Sequence, residues 1–128
     1  DLILAASPVF REAGAHVRLN TNGHGCIIHG RDVLPELGDA VDRTNISLNA
    51  PSAERYVELC RPDPSCSKVR PSPAPEAFWQ AMLDFLSRAP NFIAEVRASV
   101  VGHTLDDDEI EACRRLADRI AGVPLLVR

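Results

Sequence analysis

An α/β fold on a parallel sheet is what this sequence predicts, and three observations carry the expectation. Strand-like and helix-like patterns alternate along the 128 residues, the rhythm of β/α units joined by right-handed crossovers. Val17–Gly25, reading VRLNTNGHG, alternates apolar and polar residues, then stops in small polar residues and glycines that let the backbone leave a strand sharply. Ile46 and Leu48 alternate with Ser47 and Asn49 in the same way before Ala50-Pro51 breaks the run. In β/α folds ligands bind beyond the carboxyl ends of the strands, so function is expected at these two polar tips.

Taken in order, Leu2–Ala13 has helical apolar spacing, with Pro8 expected to divide or restart the helix and Gly14 to stop it. A first strand is predicted at His16–Asn20, a short helix at Arg31–Leu37 and a second strand at Thr44–Leu48. Ser52–Cys60 reads as a helix capped by Ser52 with Tyr56, Leu59 and Cys60 on one face. Arg61–Pro75 holds prolines at 62, 64, 71, 73 and 75 and reads as an exposed extended loop. Because it follows a helix, this loop is expected to start from the rim opposite the polar tips. Glu76–Ala89 is the clearest helix, its aromatics assigned to the core. Glu95–Val101 is a third strand. Asp106–Ala121 is a helix with a capping-box pair in Asp106 and Glu109, closed by Gly122 before a fourth strand at Val123–Val127. The four strands should be parallel and adjacent in chain order, about half of an eight-stranded barrel.

The totals exclude several classes. A net charge of −4, with no basic stripe, gives no electrostatic case for nucleic acid. No apolar run approaches the roughly 20 residues that span a bilayer. Leu2–Ala6 is too short for a secretory signal and lacks a basic flank. Cys26, Cys60, Cys66 and Cys113 are scattered with no CxxC, which favours a reduced, cytoplasmic setting. The sequon Asn45-Ile46-Ser47 falls in a predicted buried strand and is discounted.

His24-x-Cys26-x-x-His29, with His16 nearby, is the most metal-like cluster. Its spacing is irregular for zinc, so a loop with incidental histidines is the preferred reading. The acids Asp106–Glu109 are accounted for by the helix macrodipole. Cys60 and Cys66 could pair under oxidation, but isolated thiols are preferred. That leaves the tips: Thr21, Asn22 and Gly23 after the first strand, and Ser47 and Asn49 on the second. Their hydroxyl and amide groups suit a nucleoside-like ligand, or else simply close turns.

VRLNTNG, ISLNAP, the YVELCRP helix end and the terminal GVPLLVR, in that order and spacing, resemble the radical S-adenosylmethionine enzymes. More narrowly they resemble the group named for its association with TatD-type nucleases. The resemblance implies a partial six-stranded, TIM-like β/α barrel, of which residues 1–128 would be the second half, a β/α half-barrel from second helix to sixth strand. The family's CxxxCxxC loop, which holds a [4Fe–4S] cluster, and its GGEP segment are absent here and are expected in an upstream part. The parent would cleave S-adenosylmethionine to a 5′-deoxyadenosyl radical that abstracts hydrogen from an unknown substrate. By position, Ser47 and Asn49 would contact the ribose or carboxylate of the cofactor, Thr21, Asn22 and Gly23 would line the neighbouring rim, and Val100 or Val101 would pack on adenine. Arg18 and Arg97 become anion contacts only if they point inward. GHGCIIHG and the long proline loop depart from the family pattern.

The competing classes are a β/α phosphate- or sugar-binding protein without iron, and a truncated gene product without activity. On the family reading the chain alone would bind no cluster and would be marginally stable, since a half-barrel leaves strand edges unpaired.

Overall fold

In a computed structural model, which describes residues 2–128, four strands form a parallel sheet. They are β1 (Arg18–Thr21), β2 (Arg43–Ser47), β3 (Glu95–Val100) and β4 (Leu125–Val127), hydrogen-bonded in the order β1-β2-β3-β4. The parallel pairing and the chain order are those expected from the sequence. The register sets Asn20 beside Asn45, Asn45 beside Arg97, and Ser47 beside Ser99. A sheet whose strands advance in one direction, joined by right-handed crossovers, carries its helices on one side.

The side chains divide accordingly, because neighbours in register share a face and successive residues alternate. Ile46, Ala98 and Val100 are fully buried, with Val96 and Leu125 nearly so, on the helix-covered face. Thr44 sits among them, its hydroxyl satisfied by donation to the Leu19 carbonyl at 3.1 Å. The other face presents Arg18, Asn20, Arg43, Asn45, Ser47, Glu95, Arg97 and Ser99, with Leu126 of β4 beside Ser99.

Six helices flank the strands. Helix α1 (Leu2–Glu12) packs against α3 and is pinned by Arg11, which donates to the Asp39 carbonyl and the Asp42 carboxylate. Pro8 lies inside α1 without dividing it, contrary to expectation. Its exposed ring removes one backbone donor, and the helix continues through it. Helix α2 (Gly25–His29) was expected to be loop; five residues suffice because Gly30 closes it at φ +67° and the proline segment caps it from a distance. Ser67 donates to the Ile27 carbonyl at 2.6 Å and the Lys68 amide to that of Ile28 at 2.8 Å. Helix α3 (Leu34–Ala40) starts three residues later than expected, with Pro35 in its first turn, where a missing N–H costs nothing.

Helix α4 (Ala53–Cys60) begins at Ser52, whose hydroxyl accepts the Arg55 amide. Helix α5 (Pro75–Arg88) buries Phe78, Trp79, Met82, Phe85 and Leu86 and spans the centre of the covered side. Helix α6 (Asp107–Ala121) carries the expected capping box, with Asp106 and Glu109 each accepting the other's backbone N–H, and ends at Gly122 in the left-handed region. Among the described residues no helix is long and apolar enough to cross a membrane.

Candidate functional site

Parallel strands end on one edge, so the tips of β1 and β2 meet at the same rim. There Thr21 Oγ1 accepts the Gly23 amide and Asn22 Oδ1 accepts the His24 amide, each at 3.1 Å. Both side chains are thus occupied in shaping the turn. Gly23 has φ +75°, and a Cβ there would sit 3.3 Å from Ile46 Cγ2 and from Met82, so any side chain would be strained and crowded. Asn49, also left-handed at φ 63°, donates through Nδ2 to Cys60 Sγ at 3.7 Å. Its Oδ1 is buried with no partner.

Asn22 and Asn49 line one cleft of about 450 Å³, together with His24, Tyr56, Cys60 and Arg61. Pro62, Asp63 and Cys66 line it too, so the proline segment begins over this rim and not the opposite one. The reason is α4. Its eight residues, about 12 Å of helix, lie over the strand tips. Arg55 fastens it there by donating to Glu109 Oε1 at 2.9 Å and to the Thr104 carbonyl at 3.0 Å.

The cleft's inner wall is a closed pair. His24 Nε2 lies 2.6 Å from the Tyr56 hydroxyl, and both residues are buried. Phe78 meets the imidazole edge-on at a centroid separation of 5.1 Å. Removal from water lowers the His24 pKa to about 4, so the ring is neutral near pH 7. Burial drives the Tyr56 phenol upward, beyond its ordinary range. The Cys60 thiol, beside that hydroxyl, is also raised, chiefly by burial.

The other members of the metal-like cluster go elsewhere. Cys26 Sγ donates to Asp32 Oδ1 at 3.6 Å, and His16 is exposed beside Asp42. Among the described residues no three His, Cys, Asp or Glu side chains converge as a metal site. All four cysteines are free thiols.

Ser47 belongs to the uncovered face, not to the cleft. There Asn45 Nδ2 donates to Asn20 Oδ1 at 3.2 Å, while Asn45 Oδ1 and Ser99 Oγ are buried without partners. Arg18 and Arg97 share this face by the register. Glu95 receives Arg43 Nε at 2.5 Å and lies 3.9 Å from Arg97. Val100 is at 0% exposure in the core, shut off from both cleft and open face. Of the two valines only Val101, half-buried just past the strand, remains reachable.

Ser99 and the His24–Tyr56 pair were not singled out by sequence reasoning. For Ser99 a signal existed: Glu95, Arg97 and Ser99 are polar at every second position, so β3 has a polar face along its whole length. The pair spans 32 residues and leaves no local signature. No protein-family model, no curated protein and no solved structure matches this chain.

Proposed function

We propose that this chain is the later part of a radical S-adenosylmethionine core domain, a half-barrel whose strand tips hold the cofactor. One observation carries the reading. The strands advance in a single order with helices on one side, and the opposite face is polar apart from Leu126, where a free-standing sheet domain would bury apolar residues. A partial barrel needs that arrangement, because its inner face lines a chamber.

The residues present fit the cofactor and not the cluster. No convergent thiolates exist among the described residues, so a [4Fe–4S] cluster would be held outside this sequence and no step at it follows from these residues. For the cofactor, Asn49 Oδ1 is an unpartnered acceptor at the rim, suited to a ribose hydroxyl or an ammonium group. Ser47 ends β2 on the open face, outside the cleft, and offers its hydroxyl to the part of the ligand that reaches over the rim from Asn49, while Val101 offers apolar contact. Thr21, Asn22 and Gly23 act indirectly by fixing the rim's shape. S-adenosylmethionine bound there supplies the sulfonium from which radical chemistry starts. The chain's task is to bind it, orient it and exclude water.

Calorimetric titration of the protein with S-adenosylmethionine tests this. Expected is saturable binding that Asn49→Ala weakens about tenfold, as for a lost hydrogen bond to a charged or multiply bonded ligand, with a modest fall in melting temperature because alanine tolerates the left-handed backbone less well than asparagine. Absence of binding, or binding indifferent to both Asn49→Ala and Ser47→Ala, contradicts the assignment.

A further inference from the structure

The open face holds a second constellation that runs down β2 and β3 from the rim, where Ser99 is the register partner of Ser47, and its polar groups are seen whether or not the cofactor reading holds. Asn45 and Arg97 are register partners on β2 and β3, and Ser99 lies two residues beyond Arg97 on the same face. Neighbouring strands stand about 4.8 Å apart and alternate residues about 6.6 Å, so the three side chains bound one small patch.

Three features give the patch a chemistry. First, Ser99 is 1% exposed and its hydroxyl has no partner. A buried hydroxyl left unmet carries a penalty that a ligand atom would relieve. Second, Asn20 engages the Asn45 Nδ2 and leaves Oδ1 unpaired, an acceptor awaiting a donor. Third, the face gathers Arg18, Arg43 and Arg97 against the single carboxylate of Glu95, although the whole chain is acidic. Arg43 holds Glu95 at 2.5 Å, whereas Arg97 stands off at 3.9 Å with much of its donor fork uncommitted. Arg18 has no ion-pair partner among the described residues.

We propose that Asn45, Arg97 and Ser99 form a binding site for a small hydroxylated anion. Its carboxylate or phosphate lies on Arg97 and accepts from the Ser99 hydroxyl, and one of its own hydroxyls donates to Asn45 Oδ1. Guanidinium suits both oxyanions because its planar fork matches either one bidentately. The spacing is one that a pentose phosphate or an aldonic acid covers.

The test is calorimetric titration of the protein with ribose 5-phosphate and, separately, gluconate, each repeated on variants whose thermal melts are recorded. At least one probe should bind, and which one does distinguishes phosphate from carboxylate. Arg97→Gln should weaken that probe about tenfold or more, and Arg97→Lys, which keeps the charge without the fork, should fall between. Ser99→Ala should weaken binding about threefold to tenfold while leaving the melting temperature unchanged or raising it, because the substitution removes an unsatisfied buried hydroxyl. Failure of both probes to bind at millimolar concentration overturns the proposal. So does binding that Arg97→Gln leaves within about twofold, or a Ser99→Ala protein that melts lower while binding normally.

Discussion

On one face of the sheet Ile46, Val96, Ala98, Val100 and Leu125 are sealed under helices, and the one hydroxyl among them, Thr44, is satisfied by a main-chain carbonyl. On the other face the same strands present guanidinium, amide and hydroxyl groups, two of which are buried and unmatched. Both faces come from the same backbone and differ only in which residue parity they use. Apolar burial is the largest favourable term in folding, so the covered face holds the domain together. Unmet polar groups lower stability, so those on the open face do not hold the domain together, and the proposed ligand would supply their missing partners.

Substitutions on the covered side should therefore dominate stability. Phe85→Ala, which empties a fully buried position at the centre of α5, should cost about 3–5 kcal/mol in chemical denaturation. An open-face substitution such as Asn20→Ala should cost under about 1 kcal/mol. Comparable losses at the two sites would erase the distinction between the faces.

Acid should act next, through the cleft wall on the covered side. His24 titrates near pH 4 when folded and near 6.5 when exposed, so between these values the unfolded chain binds the extra proton. Its contribution is complete above about pH 6.5 and is lost as pH falls toward 4, amounting to about 2–3 kcal/mol. Asp32, Asp42 and Asp63, whose carboxyls are held below their usual range by hydrogen bonds and neighbouring charges, lose their contributions only further down. Denaturation at pH 7 and pH 4.5 should show the drop, and His24→Gln should flatten it.

Smaller effects sharpen the contrast. Asp106→Ala removes one half of the α6 capping box and should cost about 1 kcal/mol. Arg43→Gln breaks the Glu95 pair on the open face, half-exposed at both partners, and should change stability by less than about 1 kcal/mol, with the difference shrinking in salt.

What the sequence revealed follows the same division. The strands, α5 and α6 were legible because their signals are local: period-2 alternation, a broad apolar stripe, the Asp106–Glu109 start signal and the Gly122 stop. Helix α2 was hidden because its carbonyls are capped by Ser67 and Lys68, some 40 residues away. The placement of the proline segment depended on Arg55 reaching Thr104 and Glu109, a tertiary anchor with no local trace. The tips were named correctly as a shared rim, yet Thr21 and Asn22 turned out to shape the turn, and Val100 to fill the core. Of those residues, Asn49 keeps an unmatched polar atom at the rim.

The central claim is that adjacent residues of β3 face two different environments, one sealed under helices and one uncovered. Thiol labelling of Arg97→Cys and Ala98→Cys, read peptide by peptide with the native thiols as internal standards, tests it most directly. Arg97→Cys should be alkylated at a rate near that of exposed Cys66. Ala98→Cys should react about a hundredfold more slowly, like buried Cys113, because labelling there waits for local opening. Equal protection at the two positions would mean the polar face is covered after all, and the account of it as a binding surface would fail.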